Sequence, residues 1–140
     1  MTPAMDDAIR WCLSEPRTWA VVGCSPSPYR DSHGIAALLK ERGHRVIPVN
    51  PEAQEVLGER CYPALGDVPG PIDVVDVFRR PDAAGAHVDE AIAIGARAVW
   101  LQLGVIDHDA AARAQAAGLQ VVMDRCPRIE LPRLAARGRP

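Results

Sequence analysis

The sequence predicts an α/β fold, a single doubly wound domain on a five-stranded parallel sheet. Three observations predict it. Five short apolar runs, at 19–23, 45–49, 73–78, 98–103 and 119–123, are rich in β-branched residues and run on without alternation, as strands buried on both faces do. Segments with helical spacing lie between them, and strands joined by helices of roughly ten residues imply right-handed βαβ units. The length, 140 residues, fits one domain, and the 48% apolar content supplies one core.

Each element has its own signal. An N-terminal helix carries Ile9, Cys12 and Leu13 on one face and ends before Pro16. Trp19-Ala20-Val21-Val22-Gly23 is the first strand. Ile35, Leu38 and Leu39 then fall at i, i+3, i+4, and Gly43 stands where a C-terminal glycine ends a helix. Arg45–Val49 is the second strand. The stretch from Pro51 to Ile72 has Pro and Gly scattered through it, with a short helix expected near Ala53–Leu57. Asp73–Phe78 is the third strand. Val88, Ala91 and Ile92 mark the next helix, with Gly95 as its stop. Ala98–Leu103 is the fourth strand. Asp107 caps a helix bearing Ala110, Ala111, Ala114 and Ala117, closed by Gly118. Leu119–Met123 is the fifth strand, and Pro127 suits the first position of a last helix. The tail Arg137-Gly138-Arg139-Pro140 is expected to fray, its arginines solvated.

Composition narrows the function. Lys and Arg number 16 against 18 Asp and Glu, a net charge of −2, and aromatic residues make up 4%. A broadly basic nucleic-acid surface and a stacking platform for single strands are both disfavoured, so no nucleic-acid partner is expected. No stretch approaches the ~18 apolar residues that span a bilayer, so no membrane partner is expected. The opening Met1–Asp7 is acidic and lacks a signal-peptide core, which points to a cytoplasmic protein. Cys12, Cys24, Cys61 and Cys126 show no C-x-x-C or zinc spacing, so free thiols and no metal are expected.

In open α/β sheets ligands bind beyond the carboxyl ends of the strands, at the topological switch point. The loop from Gly23 to Gly34 is therefore the first place to look. Gly23 permits close backbone approach, Ser25, Ser27 and Ser32 supply hydroxyls, and Ser32 suits the cap of the next helix. Arg30 adds a guanidinium fork that matches phosphate. The loop is neither G-x-G-x-x-G nor G-x-x-x-x-G-K-[ST], which disfavours Walker-type ATP hydrolysis. The second strand ends in Asn50-Pro51, where an NAD site wants an acid. The third ends in Phe78-Arg79-Arg80-Pro81: two arginines suited to a phosphate-bearing ligand, and a ring that could cover an adenine or a pantetheine arm. Gln102 and Gly104 follow the fourth strand. Asp124 and Cys126 follow the fifth, where Asp124 could instead cap the last helix. Trp100 reads as core. His33, His44, His87 and His108 are scattered and read as surface or helix-end residues. No nucleophile–base–acid set can be assembled from these residues, so binding rather than catalysis is expected.

Val22-Gly23-Cys24-Ser25, Val49-Asn50-Pro51, Val77-Phe78-Arg79-Arg80, Trp100-Leu101-Gln102-Leu103-Gly104 and Met123-Asp124-Arg125-Cys126-Pro127, in that order, resemble the motifs of the small stand-alone CoA-binding proteins. These are similar to the CoA-binding domain of the succinyl-CoA synthetase α-subunit, and the resemblance covers roughly residues 5–135. It implies a Rossmann-like fold with strand order 3-2-1-4-5 and a bound coenzyme A or acyl-CoA. By position it puts Gly23, Ser25 and Ser27 at the phosphates, with Arg30 and Ser32 completing the cradle. Asn50 and Pro51 would flank the adenosine, Phe78 and Arg79 would form another wall, and Gln102, Gly104 and Cys126 would line the rest. Cys24 stands where a small residue such as Ala often follows the glycine, placing a thiol near the ligand. The implied role is a carrier, buffer or sensor of CoA, alone, as a homo-oligomer or with a companion subunit. Two alternatives stay open. One is an NADP-binding, dehydrogenase-like protein using Arg79 or Arg80 for the 2′-phosphate. The other is a redox protein forming a mixed disulfide with CoA through Cys24 or Cys126.

Overall fold

The computed structural model describes residues 3–137, so the expectation for the tail falls, at 138–140, outside the described residues. Helix α1 (Pro3–Leu13) precedes β1 (Thr18–Val22), α2 (Asp31–Glu41) and β2 (Arg45–Val49). A small hairpin, β3 (Glu55–Val56) and β4 (Glu59–Arg60), and a 3-10 turn (Leu65–Asp67) follow. Then come β5 (Val74–Val77), α3 (Pro81–Ala93), β6 (Ala98–Leu101), α4 (His108–Ala116), β7 (Gln120–Val122) and α5 (Pro127–Arg137). Each of the five expected strands is present, and five of the six expected helices. Helices α2, α3 and α4 stop two residues before Gly43, Gly95 and Gly118, each at positive φ as a helix-ending glycine allows. Asp107 caps α4, its carboxylate accepting from the Ala110 N–H at 3.0 Å.

The main sheet is parallel and Rossmann-like, in the order β2-β1-β5-β6-β7. Counting the parallel strands alone, that is 2-1-3-4-5, which corrects the 3-2-1-4-5 order the resemblance implied. The third parallel strand lies beside the first. Asp73, just ahead of it, accepts from the Thr18 N–H at 2.8 Å, and its register runs Trp19↔Val74 to Val22↔Val77. The outer edge of β2 is closed by the chain that returns beside it, through Asn50 N–H to Tyr62 O and Tyr62 N–H to Pro48 O. Pro48 carries no N–H, and on this outer edge none is needed by a neighbouring strand.

Strand alternation divides the core into two. Trp19, Val21, Val74, Ala98, Trp100 and Val122 face α1, α2 and α5, while Ala20, Val22, Val75, Val77, Val99 and Leu101 face α3 and α4. Both faces are therefore covered, which is why the strands read as unbroken apolar runs.

The short helix expected near Ala53–Leu57 is a hairpin instead. Leu57 and Gly58 take φ of 55° and 75°, two successive positive values that make a tight I′-type turn and forbid helix. Lys40 fastens it, its ammonium donating to the Leu57 carbonyl and pairing with Glu59, each at 2.8 Å. Among the described residues no helix is long and apolar enough to cross a membrane.

Replacing Asp107 with Ala removes the α4 cap. Urea denaturation should show a loss of about 1 kcal/mol as a lower midpoint at unchanged m; an unshifted midpoint would contradict the cap's role.

Candidate functional site

The 2-1-3-4-5 order puts the switch point between β1 and β5, where the connections leave in opposite directions. Here the chain's two turns nearly touch. Gly23 has φ +82°, and a Cβ there would stand 2.4 Å from the carbonyl oxygen of Phe78. A side chain at 23 would push β1 and β5 apart at their carboxyl ends.

Beyond Gly23 a relay of serines shapes the loop. Ser32 Oγ accepts from the Ser25 N–H at 3.0 Å, Ser25 Oγ from the Ser27 N–H at 3.0 Å, and Ser27 Oγ from the Tyr29 N–H at 3.4 Å. Each hydroxyl keeps its own proton to donate. The expected capping role of Ser32 is corrected: the N-cap of α2 is Arg30, with no side-chain cap bond, and Ser32, two residues later, is buried and braces the loop.

A cleft of about 1000 Å³ opens over these turns, the size of a large ligand site. It brings together Gly23, Ser25, Arg30, Ser32, Phe78, Arg79, Gln102, Gly104 and Cys126. Cys24, Ser27, Asn50 and Pro51 are not among its lining residues. Cys24 turns into the core and is fully buried, and burial pushes its thiol up to about 12. Asn50 is a brace: its Nδ2 donates to the Cys24 carbonyl at 3.0 Å, and its Oδ1 accepts from the Glu52 N–H at 2.9 Å.

The wall is cationic although the chain is not. Arg30, Arg79, Arg80 and Arg128 line the cleft against a single acid, Asp31, so the lining carries 4 − 1 = +3. Arg79 Nε is buried without a hydrogen-bond partner, an orphan donor beside Gly23. Arg128 was not anticipated. Its Nη2 lies 2.8 Å from where a Cβ on Gly34 would be, so the missing side chain of Gly34 makes room for the guanidinium on α2. The signal was present: Pro127 at the first helical position puts residue 128 at the same sheet edge as Cys126. Tyr29, Leu103 and Ile129 also line the cleft and are exposed at 95%, 60% and 42%, an apolar rim the sequence reading left out.

Past β7, Asp124 does not cap α5. It has φ 60° and accepts from the Gly104 N–H at 2.8 Å, tying the β7 turn to the β6 turn. Cys126 is half-buried in the lining, while Cys12, Cys24 and Cys61 are buried and all four thiols are free. His44 is buried rather than at the surface; it accepts from the Arg17 N–H, stacks edge-on to Trp19, and burial lowers its pKa. Among the described residues no cluster of His, Cys, Asp or Glu is arranged to hold a metal.

Beneath the cleft lies a second feature the sequence reading passed over. Asp76, in β5, is completely buried; Gln102 donates to its Oδ1, and its Oδ2 has no partner. Burial raises its pKa from 3.8 to about 8, and the Gln102 hydrogen bond only partly opposes this.

A family model described as "CoA binding domain" matches residues 17–132. The YneT protein of Bacillus subtilis (strain 168) is 34% identical over 121 residues, covering 86% of this chain and 90% of its own. A solved structure of a protein from Pyrococcus horikoshii OT3 superposes with a TM-score of 0.87 at 42% identity, over 93% of this chain and 92% of that one. The ADP-forming acetate–CoA ligase I of Archaeoglobus fulgidus is 26% identical over 127 residues, 81% of this chain but only 18% of the ligase.

The raised pKa of Asp76 makes a stability prediction. The folded state holds the proton that the unfolded chain gives up above about pH 4. The contribution of Asp76 is therefore complete below that pH and is lost as pH rises to about 8, at ~1.4 kcal/mol per pH unit. Asp76→Asn should gain stability relative to the parent between pH 5 and pH 8 in urea denaturation. Parallel stability profiles for the two proteins would refute it.

Proposed function

We propose, proceeding from the fact that this chain belongs to the CoA-binding domain family, that it binds coenzyme A or an acyl-CoA in the cleft at the β1–β5 switch point. The observation that carries the reading is the arginine wall, with the orphaned Arg79 Nε set beside the glycine turn. A diphosphate with a phosphorylated ribose offers the acceptors and the negative charge that such a wall lacks. Gly23, Ser25 and the first turn of α2 with Arg30 and Ser32 cradle the diphosphate, and Arg79, Arg80 and Arg128 take the remaining phosphate charge. Phe78 covers an apolar part of the ligand. The pantetheine arm runs toward Gln102, Gly104 and Cys126. Asn50 acts by holding the first turn in place, and Cys24 acts as core. The role is that of a carrier, buffer or sensor. The ligase chemistry of the Archaeoglobus fulgidus relative is a property of a much longer chain, and this reading does not include it.

Calorimetry with CoA, dephospho-CoA, NAD and NADP tests the reading. CoA should bind tightest, dephospho-CoA about tenfold weaker, and Arg79→Ala should weaken CoA at least tenfold without lowering the melting temperature. CoA binding no tighter than NAD would sink it, and NADP binding tighter than CoA would favour the dehydrogenase-like alternative.

One observation favours a second activity at the same place. Cys126 lines the cleft, whereas Cys24 is sealed in the core. A Cys126 thiolate attacking CoA disulfide would form the Cys126–CoA disulfide and release one CoA thiol, with no further oxidant. Intact-mass measurement after treatment with CoA disulfide should show one added CoA, absent from Cys126→Ser and kept in Cys24→Ser. No adduct on the parent protein would remove the idea.

A further inference from the structure

Asp76 and Gln102 form a polar pair that the arginine wall does not explain. Asp76 is 0% exposed and Gln102 5%, yet Gln102 also lines the cleft. Asp76 Oδ1 meets the Gln102 amide and Oδ2 meets no partner. On its two flanks in the sheet stand Val21 and Trp100. The ionisable groups on the elements covering this face are few. Cys12 on α1 and Cys24 in the first turn are both kept as thiols by burial, and His44 lies behind Trp19. Glu130 on α5 pairs with Arg133, and Asp73 at the far end of β5 holds the Thr18 N–H. Helix α2 brings Ile35, Ala36 and Leu39. No cation among them pairs with Asp76, and a buried carboxyl without one stays neutral.

A neutral carboxylic acid carries a proton that must be donated when buried. The side chain in reach is Gln102, whose amide ends have the same shape and exchange by a half-turn of the last torsion. In the structure the NH₂ group donates to Asp76 Oδ1, the arrangement that suits an ionised acid and turns Oε1 toward the cleft, where it repels ligand oxygens. With the acid neutral, the half-turn lets Oε1 accept the carboxyl proton and turns the NH₂ group toward the cleft.

We propose that Asp76 is a positioning residue that sets which end of the Gln102 amide faces the cleft, so that this wall selects a carbonyl oxygen of the ligand. The proposal rests on the CoA reading, whose pantetheine amides and acyl thioester are the carbonyl groups in question. The wall offers a donor at neutral pH and loses it as Asp76 ionises.

The test uses the whole protein with acetyl-CoA and S-ethyl-CoA, which lacks the thioester carbonyl; neither has a free thiol to titrate. The affinity of the parent protein for acetyl-CoA should fall about tenfold from pH 6.5 to 9.5, the size of one hydrogen bond lost with its partner left unpaired. Asp76→Asn should hold its affinity within about twofold over that range, because an amide donates to Oε1 at every pH. A fall shared by S-ethyl-CoA assigns the pantetheine carbonyl; a fall confined to acetyl-CoA assigns the thioester. An equal fall in Asp76→Asn, or a flat parent profile, overturns the proposal. In the ligand-free protein the side-chain ¹⁵N resonance of Gln102 should titrate with a midpoint near 8 and stay still in Asp76→Asn. A still resonance in the parent overturns the coupling whether or not ligand binds. A moving resonance with neither ligand bound means instead that the CoA reading has failed, and with it the carbonyl assignment.

Discussion

The contact between Gly23 and the carbonyl of Phe78 is the constraint on which the site depends. Two parallel strands whose connections diverge leave a crevice, but its walls are useful only if the two turns stay close. The absent side chain at 23 lets them close to a distance no Cβ tolerates. That closeness sets Arg79 beside the first turn and aims the serine-braced loop across the gap. The brace from Asn50 to the Cys24 carbonyl holds the same loop from behind. Rigid backbone on two sides gives a cleft whose donors are in place before any ligand arrives, which lowers the ordering cost of binding.

The charge distribution follows from the same geometry. Arg30 enters from the start of α2, Arg79 and Arg80 from the end of β5, and Arg128 from the start of α5. Each is at the carboxyl edge because each follows or precedes a strand end in sequence. The exposed Arg80 pairs with Asp82 at 3.5 Å, a contact that offsets little of this charge. An anion that bridges these arginines would satisfy Arg79 Nε at the same time. A chain of net charge −2 thus concentrates cationic charge in one concavity, where low-dielectric walls strengthen it.

Much of this was legible in the sequence, for identifiable reasons. Strands buried on both faces must be apolar throughout, so runs such as 98–101 announced themselves. Asp107, Pro127 and the glycines after α2, α3 and α4 marked helix ends because end chemistry is local. Lateral order in a sheet is not local. Nothing between residues 51 and 72 says whether the next strand lies outside β2 or beside β1, and the hairpin that closes the β2 edge turns on the backbone of Leu57 and Gly58 rather than on any periodicity. The same limit misplaced Cys24 and Asn50: position in a motif gives the sheet edge, but which way a side chain turns depends on neighbours distant in sequence. Arg128 and the apolar rim were missed because the first turn of α5 was read as a helix start and not as a cleft wall.

Asp76 shows the limit most sharply. Within Val74-Val75-Asp76-Val77 it breaks an apolar run, and an ionised carboxylate there would need a cation the core does not hold. A valine would pack the same space without a buried proton, so stability alone does not account for the residue. Its partner, Gln102, is with Ser32 one of the two buried polar side chains that line the cleft among the described residues. The two polar systems then divide the work. The arginines supply attraction without direction. The Asp76–Gln102 pair supplies direction without charge, and only while the acid keeps its proton. On the proposed reading, discrimination between ligands that share the same phosphates falls to the wall that Gln102 forms, because the phosphate end is common to them.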